Sequence, residues 1–231
     1  MAQSVGERAH AYSGCQGASS TRLAPIQFTR SDLSKAALRR SPLYSEELGS
    51  SLAAGTDAEQ FKRFLASVLL GARISEAIAR HTFLSFARHR LLSPARIFAA
   101  GWETLVKPVL SEGGHVRYDH KTATKILRDC MMLQGQYHGS LRQLHASARV
   151  CRDLQTRRER FYGLGPITVN IFLRELRPWW AKSDPEPLPC VKAAARLLAI
   201  PLERYRRKSL AFVRLEAGLI RHRRELTPTR P

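Results

Sequence analysis

Apolar residues recur along this chain every three or four positions, the spacing that gathers them on one side of a helix. Behind Thr56-Asp57-Ala58-Glu59, a capping-box pattern, come Phe61, Phe64, Leu65, Val68 and Leu69, a buried stripe that ends at Gly71. Ala72-Arg73-Ile74 follows as a loop, and Ser75 starts a second helix carrying Ile78, Thr82, Phe83 and Phe86 toward the core. Ser93-Pro94 pairs an N-cap with a first-turn proline, and Gly101 closes that short helix. Trp102 to Leu110 is predicted as another, broken by Pro108 and ended at Gly113-Gly114. From Asp119 to about Gln136 a longer helix presents Ala123, Ile126, Leu127, Cys130 and Leu133 on one face. Further helices are predicted over 140–148, 153–160, 167–176, 191–198 and 209–221, with Pro178-Trp179-Trp180 stopping the third and Pro185, Pro187 and Pro189 marking 181–189 as a loop. No segment keeps strand alternation, so the pattern predicts one all-α domain of roughly ten helices spanning residues 56–223. Residues 1–55 carry Ser, Gly, Ala and Arg with little periodicity and are expected to be a disordered basic tail, with 224–231 a flexible tail.

Charge changes the picture more than size does. The chain has 231 residues and an ordinary apolar fraction of 44%, yet 38 Lys+Arg against 19 Asp+Glu leave a net charge of +19. Such an excess draws a protein to polyanions, nucleic acid foremost, with a membrane surface or acidic proteins as the other partners of that kind. The four cysteines, Cys15, Cys130, Cys151 and Cys190, form no CxxC pair, which argues against a zinc ribbon or an iron–sulfur cluster. They are expected to be reduced thiols in an intracellular compartment. No apolar run reaches membrane-spanning length, and no secretory signal opens the chain. The expected location is cytoplasmic and nucleoid-associated, with organellar targeting by the Ser/Ala-rich, acid-poor residues 1–30 as the alternative.

The stretch most loaded with chemistry is Phe161-Tyr162-Gly163-Leu164-Gly165-Pro166-Ile167-Thr168-Val169-Asn170. Gly163 and Gly165 can take positive φ, and Pro166 suits a first helical position. The amides of Leu164, Gly165, Ile167 and Thr168 are predicted to converge at the positive end of the following helix, a seat for phosphate. The same glycines are also compatible with a purely structural turn.

Together with its surroundings this hairpin resembles the helix-hairpin-helix DNA glycosylases of the endonuclease III type. Phe61 to Arg73 is similar to that family's first core helix and the DNA-wedging loop after it, and His120 to Leu127 to the basic helix start that precedes the hairpin. The likeness covers roughly residues 57–200 in matching order. It implies a two-lobed helical fold with duplex DNA between the lobes, a hairpin holding a backbone phosphate, and a monovalent cation shared by the hairpin's carbonyls. A damaged base would be extruded into the cleft, because its glycosidic bond is out of reach inside the stack. Arg73 stands where the family keeps its wedge residue. Lys121, Arg157 and Arg158 add to the basic track, and Trp179-Trp180 would either stack a base or pack between the lobes.

The family's chemistry is harder to find. Cleaving an N-glycosidic bond builds positive charge on the sugar, so a carboxylate must stand beside it. Aligning the family's arginine with Arg196 puts Val191 at the aspartate position, and the nearest acids are Asp184 and Glu186 in the proline-rich loop. The lysine that forms a Schiff base in the bifunctional members falls at Ile167, which disfavours β-lyase activity. The closing cysteine cluster is missing too, since residues 201–231 contain no Cys. The resemblance therefore implies a monomeric base-excision repair protein acting on damaged duplex DNA, a monofunctional N-glycosylase with Asp184 or Glu186 as its carboxylate. Two alternatives stand beside it: a catalytically silent DNA-binding protein, and an RNA- or ribosome-associated one.

Overall fold

The computed structural model describes residues 35–222, and among them every regular element is helical. Two short helices come first, α1 (Lys35–Arg39) and α2 (Tyr44–Glu47). Then follow α3 (Asp57–Leu70), α4 (Glu76–Arg88), α5 (Pro94–Thr104), α6 (Asp119–Tyr137), α7 (Leu141–Ser147) and α8 (Cys151–Glu159). The last three are α9 (Pro166–Arg174), α10 (Pro189–Leu197) and α11 (Leu210–Arg221). Serine and threonine fix many of the starts: Thr56, Ser75, Ser93, Ser140 and Ser209 each accept a first-turn amide at 3.1–3.3 Å. The capping box at Thr56 is only half formed. Glu59 turns its carboxylate to the Ser51 amide (2.7 Å) and to Lys62 (2.6 Å) instead of returning to Thr56.

Gly101 takes φ +73° and breaks α5, as its position predicts. Pro108 does not break the segment after it. Leu105–Leu110 winds as a π-helix, a register that accommodates the missing proline N–H.

Residues 35–55 correct the expectation of a flexible tail. Leu38 and Tyr44 are buried, and Glu175, just past α9, accepts the backbone amides of Tyr44 (3.2 Å) and Ser45 (3.0 Å) while pairing with the buried Arg63 guanidinium at 3.3 Å. Burial holds Arg63 down to about 10, against the opposing pull of Glu175. Arg214 binds Glu46 from α11, and Gly218 leaves room for Leu38 to lie against that helix, since a Cβ there would stand 2.9 Å from the Leu38 carbonyl. The remainder of the expected tail, 1–34, and the stretch 223–231 lie outside the described residues.

The apolar side chains fall into two clusters. The larger runs from Leu52 to Trp180 and packs α3 to α9 around Phe64, Phe86, Leu133 and Phe172. The smaller joins the two ends of the described chain, with Leu38 and Tyr44 against Val191, Ala195, Leu215 and Leu219. Trp180 belongs to the larger cluster, stacked on His145 (4.6 Å) and edge-on to Phe172 (5.6 Å), whereas Trp179 is exposed.

Candidate nucleic-acid interface

The turn between α8 and α9 is built from inside outward. Phe161 and Leu164 are buried and anchor it, while Tyr162, Gly163 and Gly165 remain at the surface. Gly163 adopts φ +67°, a value that disfavours any side chain, and Gly165 is extended as the N-cap of α9. Pro166 is the first helical residue. The amides of Ile167 and Thr168, in the first turn, have no partner within the helix and lie at its positive end. One predicted donor drops out: the Leu164 N–H is spent on the Phe161 carbonyl at 3.3 Å.

Helix α6 supplies the wall against which this turn rests. Lys125, Arg128 and Asp129 lie at i, i+3 and i+4, one face of the helix. The Tyr162 amide donates to Asp129 Oδ1 at 2.8 Å, and the Arg128 guanidinium lies 4.3 Å from the Tyr162 ring centroid. Lys125 reaches over Gly163, its Nζ 3.6 Å from the point where a Cβ would stand. Lys121 is exposed one turn earlier on the same helix. Lys125 therefore brings an ammonium to the glycine turn itself. The carbonyls of Phe161 and Gly165 each accept one hydrogen bond, from the Leu164 and Val169 amides, which leaves a second lone pair on each oxygen.

The loop after α3 lies against the same place. A Cβ on Gly71 would collide with Thr168 Oγ1, so only glycine lets the loop approach the first turn of α9 this closely. The exposed Arg73 two residues on thus belongs to the hairpin surface. Thr168 itself is buried, and its side chain packs against that loop rather than facing outward.

One other expected contact is corrected. Arg158 is 0% exposed: its guanidinium sits 4.0, 4.6 and 5.0 Å from the ring centroids of Phe172, Phe64 and Phe161 and has no hydrogen-bond partner among the described residues. It cannot touch DNA from there. Burial pulls it down to about 9 and pushes Asp129 up to about 7, each partly offset by the other's charge. Arg157 is half-buried and pairs with Asp153 at 2.9 Å.

The acids upstream of α10 are also engaged. Asp184 lies between Arg177 (3.4 Å) and Arg207 (3.0 Å), and Glu186 pairs with Arg207 and with Lys192 (3.4 Å). The hydrogen bond from Arg207 holds the Glu186 carboxyl below its usual range. Glu186 nonetheless lines a groove of about 450 Å³ together with Pro166 and Ile167 of α9. Val191 is 0% exposed in the smaller cluster, and Ile167 is 62% exposed at the turn. Nothing in the pattern at 119–136 sets Arg128 apart, and Asp129 is legible there only as a polar residue between the apolar Ile126 and Leu133 on the buried face.

Among the described residues no three His, Cys, Asp or Glu converge on a possible metal position, and no helix is long and apolar enough to cross a membrane. Compared with protein-family models, curated proteins and solved structures, the chain matches none.

Proposed function

We propose that this chain binds duplex DNA, gripping the sugar–phosphate backbone at the α8–α9 turn. The observation that carries this is the packing of Lys125 over Gly163, which sets an ammonium on the turn that leads into the α9 start. Helix dipole, free amides and a fixed cation then act on one point, and a phosphate answers all three. Exposed Arg73 and Lys121 extend the charge to either side. The two hydrophobic clusters support the finer frame implied by the resemblance, two lobes with the duplex between them. In this reading the protein acts as a monomer.

Titrating the full chain into labelled duplex DNA and structured RNA of equal length, across a salt series, tests it. Tighter binding to duplex DNA with a steep salt dependence is the expected result. Equal or tighter binding to RNA sinks the DNA reading in favour of RNA.

Base excision is the second reading, favoured by the groove that Glu186 lines together with Ile167. Its ion pairs keep Glu186 anionic, the state that stabilises a developing oxocarbenium ion, but they also screen that charge. Single-turnover assays at enzyme excess, on duplexes carrying uracil, oxidised or alkylated bases, decide the matter. Release of a base that is lost in Glu186→Gln establishes excision; release of none leaves a DNA-binding protein without chemistry.

A further inference from the structure

The groove beside the hairpin does not end at Glu186. It shares Pro187 and Lys192 with a second hollow of about 330 Å³ along α10. That hollow shares Arg196, Ile200 and Glu203 with a third, of about 510 Å³. The third shares Lys35 and Arg204 with a fourth, of about 490 Å³, on α1. The four hollows adjoin one another through shared walls, from the first turn of α9, along the exposed Lys192–Arg196 stripe of α10, to Lys35 and Arg39.

Charge along this path is unevenly compensated. At the hairpin end Lys192 and Arg207 are matched by Asp184 and Glu186. At the far end Lys35, Arg39, Arg196, Arg204 and Arg206 line the walls, with Glu203 the one acid beside them. None of these five cations forms an ion pair among the described residues. Arg39 donates to the Tyr205 hydroxyl (2.6 Å) and lies 4.9 Å from its ring centroid, and Lys35 donates to the Ala199 carbonyl at 3.4 Å. Both are held in place by neutral partners, so their charge stays available. Five like charges gathered around two adjoining hollows repel each other, and a polyanion relieves that repulsion.

We propose that this far end is a second nucleic-acid contact, over which the backbone of a duplex held at the hairpin continues along α10 to α1. It rests on the duplex-binding reading of the hairpin and adds a separate surface to it. The combined variant Lys35→Gln/Arg196→Gln/Arg204→Gln of the full chain tests it, with Arg196→Lys/Arg204→Lys as the charge-retaining control. All three side chains are at the surface, and circular dichroism verifies the fold.

With labelled duplex DNA of increasing length, the slope of log affinity against log salt should fall by about 2–3 in the Gln variant, near 0.9 for each lost phosphate contact. The gain in affinity from short to long duplex should also disappear. The Lys control should keep both. Gly163→Val in the same assay separates the two surfaces. If it leaves binding intact while the Gln variant weakens it, the groove stands and the hairpin reading falls. A Gln variant with the wild-type slope at every duplex length overturns the groove. So does a Gln variant that keeps its DNA affinity but loses binding to vesicles of anionic phospholipid, which would assign the charge to a membrane surface.

Discussion

Asp129 Oδ1 accepts the Tyr162 amide at 2.8 Å, and this one bond ties the middle of α6 to the tip of the glycine turn. The carboxyl group is buried, and its other oxygen has no hydrogen-bond partner among the described residues. Asp129→Ala removes the acceptor of a part-buried amide and should cost roughly 1 kcal/mol. Hydrogen exchange at 161–165 should accelerate by more than at α4, which the bond does not touch. Uniform acceleration over the whole chain would show that Asp129 only stabilises the core.

The same carboxyl gives the protein a pH signature. Burial raises it from 3.8 to about 7, against Arg158, the Tyr162 amide and Lys125, so the folded state holds a proton that the unfolded state has released. Its contribution is full below about pH 4 and is lost as pH rises toward 7. Denaturant unfolding of wild type and Asp129→Asn between pH 4 and 8 should therefore show the difference moving steadily in favour of the Asn variant up to about pH 7. A constant difference over that range would contradict a raised Asp129.

Arg158 illustrates how a charged residue near a binding turn can be structural. Replacing it by Met keeps the volume among Phe64, Phe161 and Phe172, and Asp129 can answer the lost charge by staying protonated. Arg158→Met should leave the salt slope of DNA binding unchanged, because a buried guanidinium releases no counterion. A slope reduced by about one would place Arg158 at the interface after all.

Glu175 links three segments, the amides of Tyr44 and Ser45 in α2, Arg63 in α3, and the end of α9. Glu175→Ala strands a buried arginine and should cost roughly 3–5 kcal/mol. At about 2–4 °C per kcal/mol for a chain of this size, melting should fall by roughly 10 °C. Limited proteolysis should then cut within residues 35–55 first. Cleavage that instead begins in α4 would mean the segment is held by other contacts.

The helices were legible because their signals are local. Thr56, Ser75, Ser93, Ser140 and Ser209 cap where their positions predict, and the stripe from Phe61 to Leu69 is buried as its spacing requires. The glycine turn and the Gly101 break were legible for the same reason, since positive φ leaves few alternatives to glycine. Residues 35–55 were not, because their burial rests on isolated side chains such as Leu38 and Tyr44 and on a carboxylate some 130 positions away. Nor were the buried arginines. In a chain with 38 Lys+Arg, nothing local separates Arg63, Arg158 and Arg177 from cations on the surface. The candidate site divides along that line: the turn could be read from its glycines, whereas the ion pairs of Asp184 and Glu186 depend on Arg207, which lies 21 residues or more beyond either acid.

The grip of the glycine turn on duplex DNA is the central claim, and the affinity of Gly163→Val tests it most directly. Valine at φ +67° costs about 1–2 kcal/mol of backbone strain and pushes against Lys125, so the turn must shift and its amides lose their aim. At moderate salt the variant should bind duplex DNA about tenfold or more weaker than wild type, a loss of about 1.4 kcal/mol, with its helical circular-dichroism spectrum retained. Wild-type affinity in a folded Gly163→Val protein would contradict the account.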